Sequence, residues 1–136
     1  PRCDPVEPKP GMAFWGSPPR LDKTRNLVQT DVITPPPGAK LPTEAEFHKK
    51  MIDGFAKRQR QHSSTTPEAG ILGGLSFMRS RWTGVEPQER KERHGVVYTA
   101  IDGNRFIVLV AQDVAPHHVE GLRLGEASLL TFSKRD

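Results

Sequence analysis

The stretch from Gly95 to Asp113, GVVYTAIDGNRFIVLVAQD, decides the fold. It sets two apolar runs, residues 96–101 and 106–111, on either side of Asp102-Gly103-Asn104. Asp-Gly between β-branched and aromatic residues is a strong hairpin signal, because glycine takes positive φ without a Cβ clash. A hairpin with one wet face would alternate apolar and polar side chains. This one does not. Phe106, Val108 and Val110 share one face and Ile107, Leu109 and Ala111 the other, while Val97, Thr99 and Ile101 oppose Val96, Tyr98 and Ala100. Leaving either face in water would forgo roughly 1.5–3 kcal/mol for each large side chain, so both faces need a cover.

One cover is evident upstream. Thr43 and Glu46 form a capping-box pattern behind Pro42, and a helix is predicted from Thr43 to about His62. At 100° per residue, Phe47, Met51, Ile52, Phe55 and Ala56 share one half of its surface, with Lys49, Lys50, Asp53, Lys57 and Arg60 over much of the other. Residues 71–82 read as a strand, bulged at Gly73-Gly74. After the hairpin, residues 114–120 read as irregular around Pro116, Gly121 to Gly125 as a turn, and residues 127–132 as a last strand. The expected fold is α+β: one amphipathic helix on a four-stranded antiparallel sheet, in two layers. In element order this resembles the cystatin-like and NTF2-like helix-on-sheet folds, a likeness of outline that carries no function. The second face of the hairpin is left for an arm or a partner to cover.

That arm is the first 42 residues, which hold ten of the 13 prolines. Proline removes a backbone donor and pushes its predecessor to extended conformations, so no helix is expected there. The segment still carries Met12, Phe14, Trp15, Leu21, Leu27, Val28, Val32 and Ile33, more apolar anchors than a solvated linker needs. The expected organisation is a Pro-rich extended arm, 1–42, and an α+β domain, 43–136. The length fits one domain.

A net charge of +4 gives weak support for an anionic partner. The single Cys3 excludes an internal disulfide framework. No apolar run reaches the ~18–20 residues of a membrane span, so the chain is expected to be soluble; it begins at Pro1, which leaves room for a removed leader.

No catalytic constellation emerges. Gly-x-Ser-x-Gly and Cys-His patterns are absent, and Asp102 sits in a turn, where aspartate serves the geometry. The other acids weighed were Asp113 and Glu120. His117, His118 and Glu120 are the nearest approach to a metal cluster, but adjacent histidines in extended chain point apart, and no metal or other cofactor is expected. Gly70 to Gly74 lacks the Lys-Ser/Thr ending of a phosphate loop.

The leading expectation is a non-enzymatic interaction or assembly protein, binding a protein partner or itself through a sheet face and the arm. Its candidate contact residues are Phe14, Trp15, Val32, Ile33, Arg79, Arg81 and Trp82. One alternative is a pocket between helix and sheet lined by Phe47, Met51, Phe55, Tyr98 and Phe106, with His48 as its polar group. The other is nucleic-acid binding by the basic helix face, with Arg79 and Arg81 on phosphates and Trp82 for stacking.

Overall fold

The computed structural model describes residues 4–6, 12–88 and 90–131, with side chains from Trp15 onward. The hairpin forms the middle of an antiparallel sheet. Its strands, here β7 (Glu92–Asp102) and β8 (Arg105–Val114), pair from Asp102↔Arg105 to Arg93↔Val114, and Gly103 turns the chain at φ +60°. On one side β8 pairs with β3 (Leu27–Ile33), then come β2 (Met12–Gly16) and β1 (Asp4–Val6). On the other, β7 pairs with β6 (Leu75–Val85), whose outer edge carries β4 (Arg60–Ser64) and β5 (Glu68–Leu72) end to end.

The sheet therefore has eight strands rather than four. Part of the surplus comes from Gly73-Gly74, which is a hairpin turn and not a bulge. Both glycines have positive φ, +57° and +81°, the pairing that a tight two-residue loop demands. The rest comes from residues 60–64, expected as helix to about His62, and from the Pro-rich segment, which supplies β1, β2 and β3. β3 lies in continuous register with β8, from Leu27↔Gln112 to Ile33↔Phe106.

One face of the hairpin is covered as expected. Helix α1 (Glu44–Arg58) starts at the capping box, with Thr43 and Glu46 each accepting a hydrogen bond from the other's backbone N–H at 3.2 Å. Its apolar side meets Trp82, Val97, Phe106, Val108 and Val110. Phe47 stacks on Phe106 and Phe55 on Trp82, with ring centroids 4.7 and 4.9 Å apart. Trp82 lies where a Cβ on Gly95 would be, so glycine is needed opposite it. The helix ends at Arg58, short of His62, because residues 59–64 hold no apolar side chain to bury and pair instead with the end of β6.

The other face is covered by a helix that the sequence reading missed. Residues expected as a turn and a last strand form α2 (His118–Leu129), lying over β8, β7 and β3. Leu122 and Leu129 pack with Val28, Val96, Leu109 and Ala111. Gly121 and Gly125, read as a turn, face the sheet one helical turn apart. A Cβ on Gly125 would sit 3.0 Å from Ala111 Cβ, and one on Gly121 would run into the Asp113 carboxylate. The glycines let the helix lie close on β8. The sheet thus has a helix on each face, three layers instead of two, and neither hairpin face remains open for a partner.

Candidate functional site

The polar chemistry of this chain gathers around the first turn of α2. Asp113, on the α2 face of β8, is fully buried. It accepts two hydrogen bonds from Arg20, at 2.8 and 2.5 Å, and one from the N–H of Val114 at 2.8 Å. A bidentate guanidinium is the partner best matched to a carboxylate removed from water. Its hydrogen bond with Asp113 holds the Arg20 guanidinium above its ordinary pKa. Asn26 donates from Nδ2 to the Gly121 carbonyl at 2.9 Å. His117 Nε2 meets Asp22 Oδ2 at 2.8 Å, and hydrogen bonds from Thr24 and then His117 hold Asp22 below the usual carboxylate range. The segment 17–26, between β2 and β3, is thereby strapped to the start of α2.

The strap leaves a groove of about 830 Å³ along α2, walled by Pro18, Val28, Pro116, Val119, Leu124 and Ala127. Most of its polar groups are engaged inside the fold, the exception being Asn26 Oδ1, which is buried without a hydrogen-bond partner. Arg20 is on Asp113, Ser17 accepts from the Asn26 N–H, Ser128 donates to the Leu124 carbonyl, and Thr131 donates to the Ser128 carbonyl. Val119, at its rim, is 74% exposed.

On the opposite flank of α2 lies a cleft of about 620 Å³, bounded by β6, β7 and Thr65. The His94 and His118 rings stack there, 3.7 Å apart and 9° from parallel, and His94 Nε2 lies 2.6 Å from Glu92 Oε1. Further along α2, Tyr98 donates to Glu126 at 2.5 Å, and Arg79 Nε donates to the same carboxylate at 2.8 Å and to the Tyr98 hydroxyl at 3.2 Å. Burial and the Glu126 carboxylate push the Tyr98 phenol up.

The structure divides the residues singled out in the sequence. Phe47, His48, Met51, Phe55 and Phe106 do meet under α1, where the ring stacks fill the helix–sheet interface. Tyr98 points to the other face. His48 is 0% exposed, and each ring nitrogen lies 2.7 Å from a hydroxyl: Nδ1 from Thr99 and Nε2 from Ser80. It is a core histidine, tied to side chains and held below its ordinary pKa by burial.

Among the contact candidates, Trp82 is 2% exposed and presents no ring to a base or a partner, and Arg79 is engaged by Glu126 and Tyr98. Arg81 is exposed. Val32 and Ile33 are exposed on β3, Trp15 is half-buried, and the Phe14 side chain lies outside the described residues. Cys3 and Phe132 also lie outside them. His117 and His118 part ways, one to Asp22 and the other to His94, and Glu120 pairs with Arg123. Among the described residues no group of three acids, histidines or cysteines is arranged to hold a metal. Sequence reasoning missed Arg20 and Asn26. Their partners are 93 and 95 residues away, and no local pattern announces such a pair.

The α+β fold is shared with solved structures. It is similar to a crystal structure from Pseudomonas aeruginosa, a protein of unknown function considered a candidate regulator, with a TM-score of 0.68 at 8% identity over 92% of this chain and 83% of that one. It is also similar to the solution structure of cyanobacterial PsbP from Synechocystis, with a TM-score of 0.55 at 13% identity over 93% and 90%. No protein-family model and no curated protein matches the sequence. The likeness establishes the α+β fold. No helix is long and apolar enough to cross a membrane among the described residues.

Proposed function

We propose that this is a non-enzymatic binding protein that holds a polypeptide partner in the groove between α2 and the strap. The observation that carries the reading is the groove itself: about 830 Å³, walled largely by apolar side chains, with most of its polar groups hydrogen-bonded within the fold. Such a surface recognises shape and apolar contact and offers little for bond-breaking chemistry. Val119 is a large apolar side chain left in water at the groove's rim. The Pro-rich segment contributes Pro18 and Val28 to one wall. The hairpin face expected to meet a partner is occupied by α2 instead.

The test is site-specific photo-crosslinking in the native cells. A photoreactive residue at Ala127, exposed on the groove wall, is expected to give one dominant adduct of defined mass, absent when the same residue replaces Lys57 on the outer face of α1. An adduct of twice the chain mass would make the partner a second copy. Equal, diffuse labelling from both positions would refute the groove as a binding surface.

A further inference from the structure

The cleft on the other flank of α2 differs from the groove in its charge: a guanidinium without an ion-pair partner among the described residues stands in its wall. It is lined by Arg81 and Thr83 of β6, His94 of β7, His118 and Arg123 of α2, and Thr65. The acids beside it already have partners. Glu126 is bridged to Arg79 at 2.7 Å, Glu120 to Arg123 at 2.5 Å, and Glu92 lies against His94. Arg81 forms no ion pair among the described residues and stands as an uncompensated cation. On the facing helix, Nδ1 of His118 is buried with no hydrogen-bond partner. A buried polar atom without a partner costs about 1–3 kcal/mol, so such atoms in native proteins mark a missing partner.

A guanidinium without a counter-ion calls for an acceptor bearing negative charge, and an imidazole nitrogen in the same cleft adds a matching donor when it carries the ring proton. The cleft is far larger than a bare oxyanion needs, and Val96 and Leu122 give it an apolar floor. We propose that this cleft binds a small organic anion, its carboxylate or phosphate group held between Arg81 and His118 and its apolar body against Val96 and Leu122. The site shares only the rim residue Val119 with the groove and does not depend on it.

The test is a ¹⁵N-resolved NMR titration of the full chain with phenyl phosphate, benzoate, inorganic phosphate and neutral benzyl alcohol. Saturable shifts with phenyl phosphate or benzoate, centred on residues 81–83, 94–96 and 118–123, are expected; comparison of the two assigns the anionic group. Benzyl alcohol and inorganic phosphate are each expected to bind at least tenfold more weakly. Arg81→Ala, at an exposed position, should keep the wild-type spectrum elsewhere and weaken binding about tenfold. His118→Phe preserves the stack on His94 and should weaken it as well, while Lys57→Ala should not. Shifts spread over the basic face of α1, affinity unchanged in Arg81→Ala, or no saturation at millimolar probe would each overturn the assignment.

Discussion

Replacing His48 by Leu tests the reading of the α1 interface most directly. In the native structure the imidazole lies between two hydroxyls, at 2.7 Å from Thr99 Oγ1 and 2.7 Å from Ser80 Oγ, and all three residues are at most 1% exposed. A neutral ring satisfies both hydroxyls, one nitrogen donating and the other accepting. Leucine leaves two buried hydroxyls without partners at about 1–3 kcal/mol each, so a loss of about 2–5 kcal/mol is expected after allowing for added apolar burial. Converting the partners too, in His48→Leu/Ser80→Ala/Thr99→Val, removes the orphaned groups and should recover most of the loss.

The same site predicts a pH dependence. Burial lowers the folded-state pKa of His48 below its ordinary 6.5. The unfolded chain therefore takes up the proton first as pH falls. Stability is complete above pH 6.5 and declines below it, by up to about 1.4 kcal/mol per pH unit, until the folded-state value is reached. His62 is shifted the same way by burial, so the His48 share is the difference between wild type and the His48→Leu chain. Urea unfolding at pH 7.5, 6.0 and 5.0 reads both effects. A His48→Leu chain within about 0.5 kcal/mol of wild type, or a triple variant no more stable than the single one, would refute the reasoning; each limit sits well below the orphaned-hydroxyl cost.

Three further outcomes are expected. Arg20→Ala strands the buried Asp113 carboxylate and should cost about 3–5 kcal/mol in chemical denaturation, with Arg20→Ala/Asp113→Asn milder than the single change. Gly121→Ala should lower the melting temperature even though alanine favours helix by about 1 kcal/mol, because its Cβ collides with Asp113; a rise would mean that the helix does not lie where described. Tyr98 is the only tyrosine, so its ionisation can be followed by ultraviolet absorbance: Glu126→Gln should move it to lower pH while leaving the part due to burial, and an unmoved titration would disprove the Tyr98–Glu126 contact.

The sequence was most informative where one short segment determines its own structure. The hairpin could be read from its turn and the β-branched and aromatic runs flanking it, and α1 from Thr43, Glu46 and the spacing of Phe47, Met51 and Phe55. The requirement that both hairpin faces be covered was legible too. What covers the second face was not, because Gly121 and Gly125 break helices by intrinsic propensity. Here they mark the contact side of one, which becomes visible only against Asp113 and Ala111. The spacing of Gly121, Leu122, Gly125 and Leu129 was the available signal. The strap was beyond reach, since the Arg20–Asp113 pair exists only once β3 is in register with β8.

That pairing also dictates an order of events on the ribosome. β3 is made early, but one of the strands it hydrogen-bonds to, β8, is made only after α1 and the strands β4 to β7 that lie between them in the chain. β1, β2 and β3 can pair with one another as they emerge, but the edge of β3 that meets β8 has no partner until then, as is general for folds with distant contacts. Prolines stand outside β2 and β3 themselves, at 18–19 and 35–37, where they limit how far either strand could extend its pairing onto another molecule.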